Sequence, residues 1–177
     1  MRHADHVRLI ADGVSQGSGG TWADLGCGTG AFTLALADLL GPTATIHAVD
    51  RDRSALAELR AAFVSSVPVA DLRVDVADFT KPLALRDLDG VVMANSLHFV
   101  DEKTAVLKRV RAMLRPAGRF VLVEYDSDRG NEWVPYPVSF ETWKELANEA
   151  GFVGTRRLAT IPSRFLRQIY SALSLQP

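Results

Sequence analysis

The sequence predicts an α/β fold, a doubly wound and mostly parallel sheet with helices on both faces. Three observations predict it. Short apolar runs near 21–24, 43–50, 72–76, 90–95 and 120–124 alternate with segments of helical periodicity. The first run ends at Asp24 and passes through Gly26-Cys27-Gly28-Thr29-Gly30 straight into the helical pattern Phe32–Leu40. The second run ends at Asp50, twenty-two residues after Gly28, the spacing at which such folds place a ribose-binding carboxylate.

The 177 residues suffice for one domain with a full core and are too few for two comfortable ones. A single domain over 1–177 is expected, with 1–20 as an N-terminal helix and loop and 21–177 as the α/β core. Hydrophobic content of 47% and charged content of 23% are ordinary for a soluble globular protein. A formal charge of -1 gives no electrostatic case for nucleic acid or an anionic membrane as partner. Cys27 is the single cysteine, so neither an internal disulfide nor a cysteine metal site is expected, and no cluster of carboxylates and imidazoles argues for a metal. Residues 1–7 lack the apolar core of a signal peptide and no apolar run approaches a membrane span, which makes a cytoplasmic location the default expectation.

Taken in order, His6–Val14 presents Val7, Ile10, Ala11 and Val14 on one face and predicts a short helix beside the ligand cleft, stopped by the loop 15–20. His3 and His6 read as solvated or capping residues. Gly41-Pro42 ends the helix after the glycine loop, and the β-branched run Thr43–Val49 reads as a buried strand. Ser54–Phe63 is helical, with Asp50 as either a ligand residue or the cap of that helix. Leu72–Val76 alternates apolar and polar as a sheet-edge strand does, putting Asp75 in mid-strand and Asp78 and Phe79 just past its end. Gly90–Asn95 is a fourth strand, followed by Ser96-Leu97-His98-Phe99 and an amphipathic helix over Asp101–Leu114. Arg115–Arg119 turns into a fifth strand, Phe120–Glu124. A polar loop over Tyr125–Val138 precedes a helix capped by Ser139 and ended by Gly151, and 154–160 and 168–175 predict an antiparallel hairpin.

The glycine loop carries the chemistry. At a strand-to-helix turn the first glycine permits the reversal, the second lets a ligand approach bare backbone, and the third allows close helix packing. The helix N-terminus adds unpaired N–H groups and partial positive charge. Gly26-x-Gly28-x-x-Ala31 also fits a dinucleotide fingerprint, and a glycine-rich turn without ligand is the bland alternative. Asp24 separates these, because a carboxylate facing a pyrophosphate would repel it whereas an ammonium group would be attracted.

Asp24-Leu25-Gly26-Cys27-Gly28-Thr29-Gly30 resembles the first motif of the class I S-adenosylmethionine-dependent methyltransferases. The resemblance implies a Rossmann-like seven-stranded sheet of order 3-2-1-4-5-7-6 with strand 7 antiparallel. It implies S-adenosylmethionine as cofactor, held by Asp24, Gly26, Cys27, Gly28 and Gly30, by Asp50 at the ribose, and by Asn95 beyond the fourth strand. Asp78 would accept from the adenine amino group while Phe79 covers the ring; the competing reading makes Asp78 a turn residue before Thr80-Lys81-Pro82. The turn 115–119 resembles the family's Pro-Gly-Gly turn with Ala117 in place of the middle glycine, which bears only on a local backbone angle.

The expected reaction is in-line methyl transfer to a small-molecule acceptor. His98 is the candidate general base, with Glu124 the weaker alternative and a purely structural His98 the competing reading. Asn95 is followed by Ser-Leu-His, so the Asn/Asp-Pro-Pro-aromatic motif of methyltransferases acting on amino groups of nucleic acid or protein is absent. The 125–138 loop is expected to wall the acceptor, with Trp133 and Tyr136 either lining the pocket or pinning the loop. A non-catalytic S-adenosylmethionine-binding partner protein and a nicotinamide-dependent oxidoreductase stand as rivals, and a homo-oligomer is left open.

Overall fold

The computed structural model describes residues 1–65 and 70–177. Strands β1 (Gly20–Leu25), β2 (Ala44–Asp50), β3 (Asp71–Val76), β4 (Leu88–Ala94), β5 (Leu114–Tyr125), β6 (Val153–Pro162) and β7 (Gln168–Leu175) form one seven-stranded sheet of order 3-2-1-4-5-7-6. β1 to β5 pair in parallel and β7 runs antiparallel to both β5 and β6, as expected. Among the described residues five α-helices accompany the sheet: α1 (His3–Ile10), α2 (Ala31–Leu40), α3 (Arg53–Ser65), α4 (Lys103–Met113) and α5 (Phe140–Glu149).

Alternation along the strands sends neighbouring residues to opposite faces. Trp22, Ile46, Val92, Val121 and Val123 join one core with Leu9, Ile10, Leu36 and Phe63, so α1, α2 and α3 cover that face. Ala23, Leu25, Val91, Met93 and Leu122 join the other with Val106, Val110 and Trp143 of α4 and α5. Each fully buried side chain of this size contributes about 1.5–3 kcal/mol. Between β3 and β4 the chain crosses over 77–87 without a regular helix, anchored by Leu83 and Leu85 against the second core.

The N-terminal helix and the fifth strand differ from expectation for local reasons. The N-terminal helix starts at His3, where the Arg2 backbone N–H donates to Asp5 Oδ2 at 2.9 Å, and it tightens into a 3-10 turn over Ala11–Gly13. β5 begins at Leu114, paired with Leu88, and shifts register before Gly90 meets Arg119. Within that irregular stretch Ala117 takes the left-handed conformation at φ 60, the angle a glycine would adopt without strain. Its N–H donates to the Gln176 carbonyl at 3.0 Å, which holds it there. No helix among the described residues is long and apolar enough to cross a membrane.

Candidate cofactor cleft and an adjoining cavity

Parallel strands bring their C-terminal ends to one edge, and there a cleft of about 420 Å³ opens over β1, β2 and β4. Gly26, Gly28, Asp50, Asp78, Phe79 and Asn95 line it. The glycines divide their work as expected. A Cβ at Gly26, which has φ 77, would stand 2.5 Å from Ser96 Cβ. At Gly30, with φ 89, it would drive into the Leu59 side chain of α3. At Gly28 it would meet no atom within 4 Å, so this glycine is the one that presents bare backbone to open space.

Asp50 ties the loop to β2. Its Oδ2 accepts the Gly28 N–H at 2.8 Å and its Oδ1 the Asp52 N–H at 2.9 Å. The cap of α3 is Asp52, which accepts from Ser54 N at 2.8 Å and Ser54 Oγ at 2.6 Å, leaving Asp50 to the cleft. Asp78 is at once a turn residue and a cleft residue. Its Oδ1 accepts from Thr80 Oγ1 at 2.6 Å and Thr80 N at 2.9 Å, bonds that hold its carboxyl below the usual range, and it lines the cleft. Asn95 sits in the left-handed region at φ 52, and its buried Oδ1 has no hydrogen-bond partner among the described residues. A buried acceptor without a donor costs about 1–3 kcal/mol, so a donor supplied by a cleft ligand would fit there.

Asp24, Cys27 and Gly30 depart from the expected place, since none of them lines the cleft. Asp24 is 1% exposed and accepts from Thr33 Oγ1 of α2 at 2.7 Å. Burial pushes its carboxyl up to about 7, against the opposing Thr33 bond and with help from the nearby Asp50 charge. Residue spacing alone sets the Asp24 carboxylate against the ligand; in the structure it lies under the loop. Cys27 packs with Ala48, Leu56 and Leu59, and burial pushes its thiol well above the usual range.

His98 lies in a 3-10 turn, Leu97–Phe99, is 3% exposed and does not itself line the cleft. Its Nδ1 stands 2.9 Å from Glu124 Oε1 and 3.1 Å from Oε2. Glu124 is fully buried and also accepts the His98 N–H at 3.1 Å and the Tyr125 N–H at 2.7 Å, so donors surround it. No described residue hydrogen-bonds to His98 Nε2. The His98 ring is 4.3 Å from that of Phe99, a wall of the cofactor cleft, and 5.6 Å from that of Tyr125.

Tyr125 belongs to a second cavity of about 600 Å³, which sequence reasoning missed. It is lined by Asp5 and Arg8 of α1, by Ile161, Arg164, Phe165 and Ile169 around the β6–β7 turn, and by Tyr125 itself. α1 therefore borders this cavity and not the cofactor cleft. His3 pairs with Asp38 at 2.6 Å and the His6 ring packs at a tilt against Phe32 at 4.8 Å, so neither resembles a ligand residue. The 125–138 loop is pinned by Val134, Val138 and the caps that Asp126 and Asp128 provide to Phe140 and Ser139. Trp133 is 72% exposed and lines neither space, while the Tyr136 N–H donates to the His98 carbonyl at 2.9 Å. Arg51 of the cleft was also missed, although it lies next to the end of β2, while Ser96 and Phe99 belong to the 95–99 segment beyond β4 that the sequence set beside the site.

Comparison with known proteins bears on the family and the fold. A methyltransferase domain family matches residues 23–120. A carboxy-S-adenosyl-L-methionine synthase of Chromohalobacter salexigens is 33% identical over 118 residues, 63% of this chain and 43% of its own length. An O-methyltransferase of Aspergillus sclerotiorum is 27% identical over 159 residues, 82% of this chain and 60% of its own. The chain thus spans about half the length of these relatives. The solved structure of a SAM-dependent methyltransferase from Aquifex aeolicus superposes with TM-score 0.75 at 16% identity, covering 98% of this chain and 90% of that one, a likeness of fold. The family match over more than half of the chain, joined to the sheet order and the glycine cleft, identifies the protein as a member of the class I S-adenosylmethionine-dependent methyltransferases.

Proposed function

We propose that the protein transfers a methyl group from S-adenosylmethionine to an oxygen of a small-molecule acceptor, with His98 as general base and Glu124 as the residue that positions it. The observation that carries this is the placement of His98 between the walls of two spaces, Phe99 on the cofactor side and Tyr125 on the other, with Nδ1 engaged and Nε2 unbonded. S-adenosylmethionine supplies a methyl already activated on a sulfonium, whose bond to sulfur breaks as the new bond to the acceptor forms, leaving S-adenosylhomocysteine. Gly26, Gly28, Asp50, Asp78, Phe79 and Asn95 would hold it.

The chain's own residues then have three tasks: to align the acceptor, to exclude water and to take a proton. With Nδ1–H donating to Glu124, the neutral imidazole keeps its lone pair on Nε2, where an acceptor hydroxyl proton would go. A cavity of about 600 Å³ suits a small molecule, and oxygen as the acceptor atom agrees with the O-methyltransferases among the relatives.

Steady-state transfer to a panel of phenols tests this reading. His98→Ala should lower kcat by about 100-fold or more while calorimetric affinity for S-adenosylhomocysteine stays unchanged. Glu124→Gln should lower kcat and move the acidic limb of its pH profile. Full activity of His98→Ala would remove the base, and cofactor binding without transfer to any acceptor would favour a non-catalytic binding protein.

A further inference from the structure

Two cations at the second cavity have no counterion among the described residues. Arg8 projects from α1 and Arg164 from the β6–β7 turn, both line the cavity, and neither makes an ion pair with any described residue. Asp5, the acid of this cavity, is already engaged by Arg2, whose backbone N–H stands at 2.9 Å and whose Nε stands at 3.7 Å from the same oxygen. Ser163 adds one hydroxyl, and the remaining walls are apolar or aromatic: Tyr125 and Phe165 meet edge to face at 6.5 Å, and Ile161 and Ile169 are buried beside them. Two unpaired guanidinium groups over an apolar floor suit a ligand with a flat hydrophobic body and a carboxylate-like anionic group, since guanidinium pairs with planar oxyanions.

We infer that this cavity selects an anionic acceptor, an aryl or similarly apolar carboxylate held by Arg8 and Arg164, with its hydroxyl directed to the His98 side through Tyr125. The inference rests on the preceding assignment of the second cavity to the acceptor. Register supports the placement: Tyr125 pairs with Ile169, and Ile161 pairs with the same Ile169, so the cavity floor and Tyr125 share one face of the sheet, and the Tyr125 ring stands 5.6 Å from that of His98 at the strand end.

The test uses the full chain saturated with S-adenosylhomocysteine and titrated calorimetrically with 4-hydroxybenzoate, its neutral analogue 4-hydroxybenzyl alcohol and the cation tyramine. 4-Hydroxybenzoate should bind about tenfold or more tightly than the alcohol, because only the carboxylate offers the guanidinium groups a charge-assisted hydrogen bond, and tyramine should bind most weakly. Arg8→Gln and Arg164→Gln, checked for folding by circular dichroism, should each abolish most of that preference while leaving the weak binding of the alcohol and the affinity for S-adenosylhomocysteine as they were. Equal affinity for the three probes, no binding of any of them, or a preference that survives both substitutions would overturn the inference. Anion preference without methyl transfer would refute the proposed activity and leave the anion site standing; transfer to neutral phenols without preference would do the reverse.

Discussion

Gly28 and Gly30 lie two residues apart in one loop, both with positive φ, yet the structure assigns them different work, and paired alanine substitutions separate it. Both variants carry the strain of an L-residue in the left-handed region, about 1–2 kcal/mol, at φ 53 for Gly28 and φ 89 for Gly30. Only Gly30→Ala also forces a methyl into the Leu59 side chain, for which overpacking costs a further 1–3 kcal/mol or so. With roughly 2–4 °C per kcal/mol for a chain of this size, Gly30→Ala should unfold about 2–12 °C below Gly28→Ala in ligand-free scanning calorimetry. Titration with S-adenosylhomocysteine should give the opposite ranking, because the Gly28 methyl occupies space the ligand needs while Gly30 faces α3. Equal melting temperatures, or wild-type affinity in Gly28→Ala, would refute this division of labour.

The remaining predictions concern three acids and one exposed ring. Asp24, pushed up to about 7 by burial, binds its proton more tightly folded than unfolded, so it contributes stability that falls as pH rises from about 4 to 7 and is level above that. The full shift corresponds to at most about 4 kcal/mol; urea unfolding of wild type and Asp24→Asn should show their stability difference moving against wild type between pH 5 and pH 8, and a constant difference would show the carboxyl to be ordinary. Asp78→Ala should weaken adenosine ligands because Asp78 lines the cleft, whereas Asp75, outside the cleft and 3.3 Å from His47, should be replaceable without loss. Matching affinities for the two variants would remove Asp78 from the adenine site. Trp133→Ala, at a residue 72% exposed, should change stability by no more than about 0.5 kcal/mol; a larger loss on urea unfolding would mean the loop depends on that ring.

What the sequence determined by itself is whatever local pattern encodes. Strand and helix periodicity placed the sheet elements, glycine and proline punctuation marked the turns, and the hairpin of β6 and β7 followed from two close apolar runs. Gly28 and Asp50 were legible for the same reason: a loop glycine and a strand-end acid meet wherever adjacent parallel strands share an edge, and they do so here at 2.8 Å. Tertiary structure decided the rest. Whether Asp24 faces the ligand or Thr33 depends on how α2 settles on β1, a packing outcome that residue spacing does not encode. His98 and Glu124 read as rival bases in the sequence because they stand twenty-six residues apart; parallel pairing of β4 with β5 makes them one hydrogen-bonded unit. The second cavity has no sequence signature at all, since Arg8 and Arg164 come from opposite ends of the chain and line one cavity only because β7 inserts beside β5 and carries the β6–β7 turn up to α1.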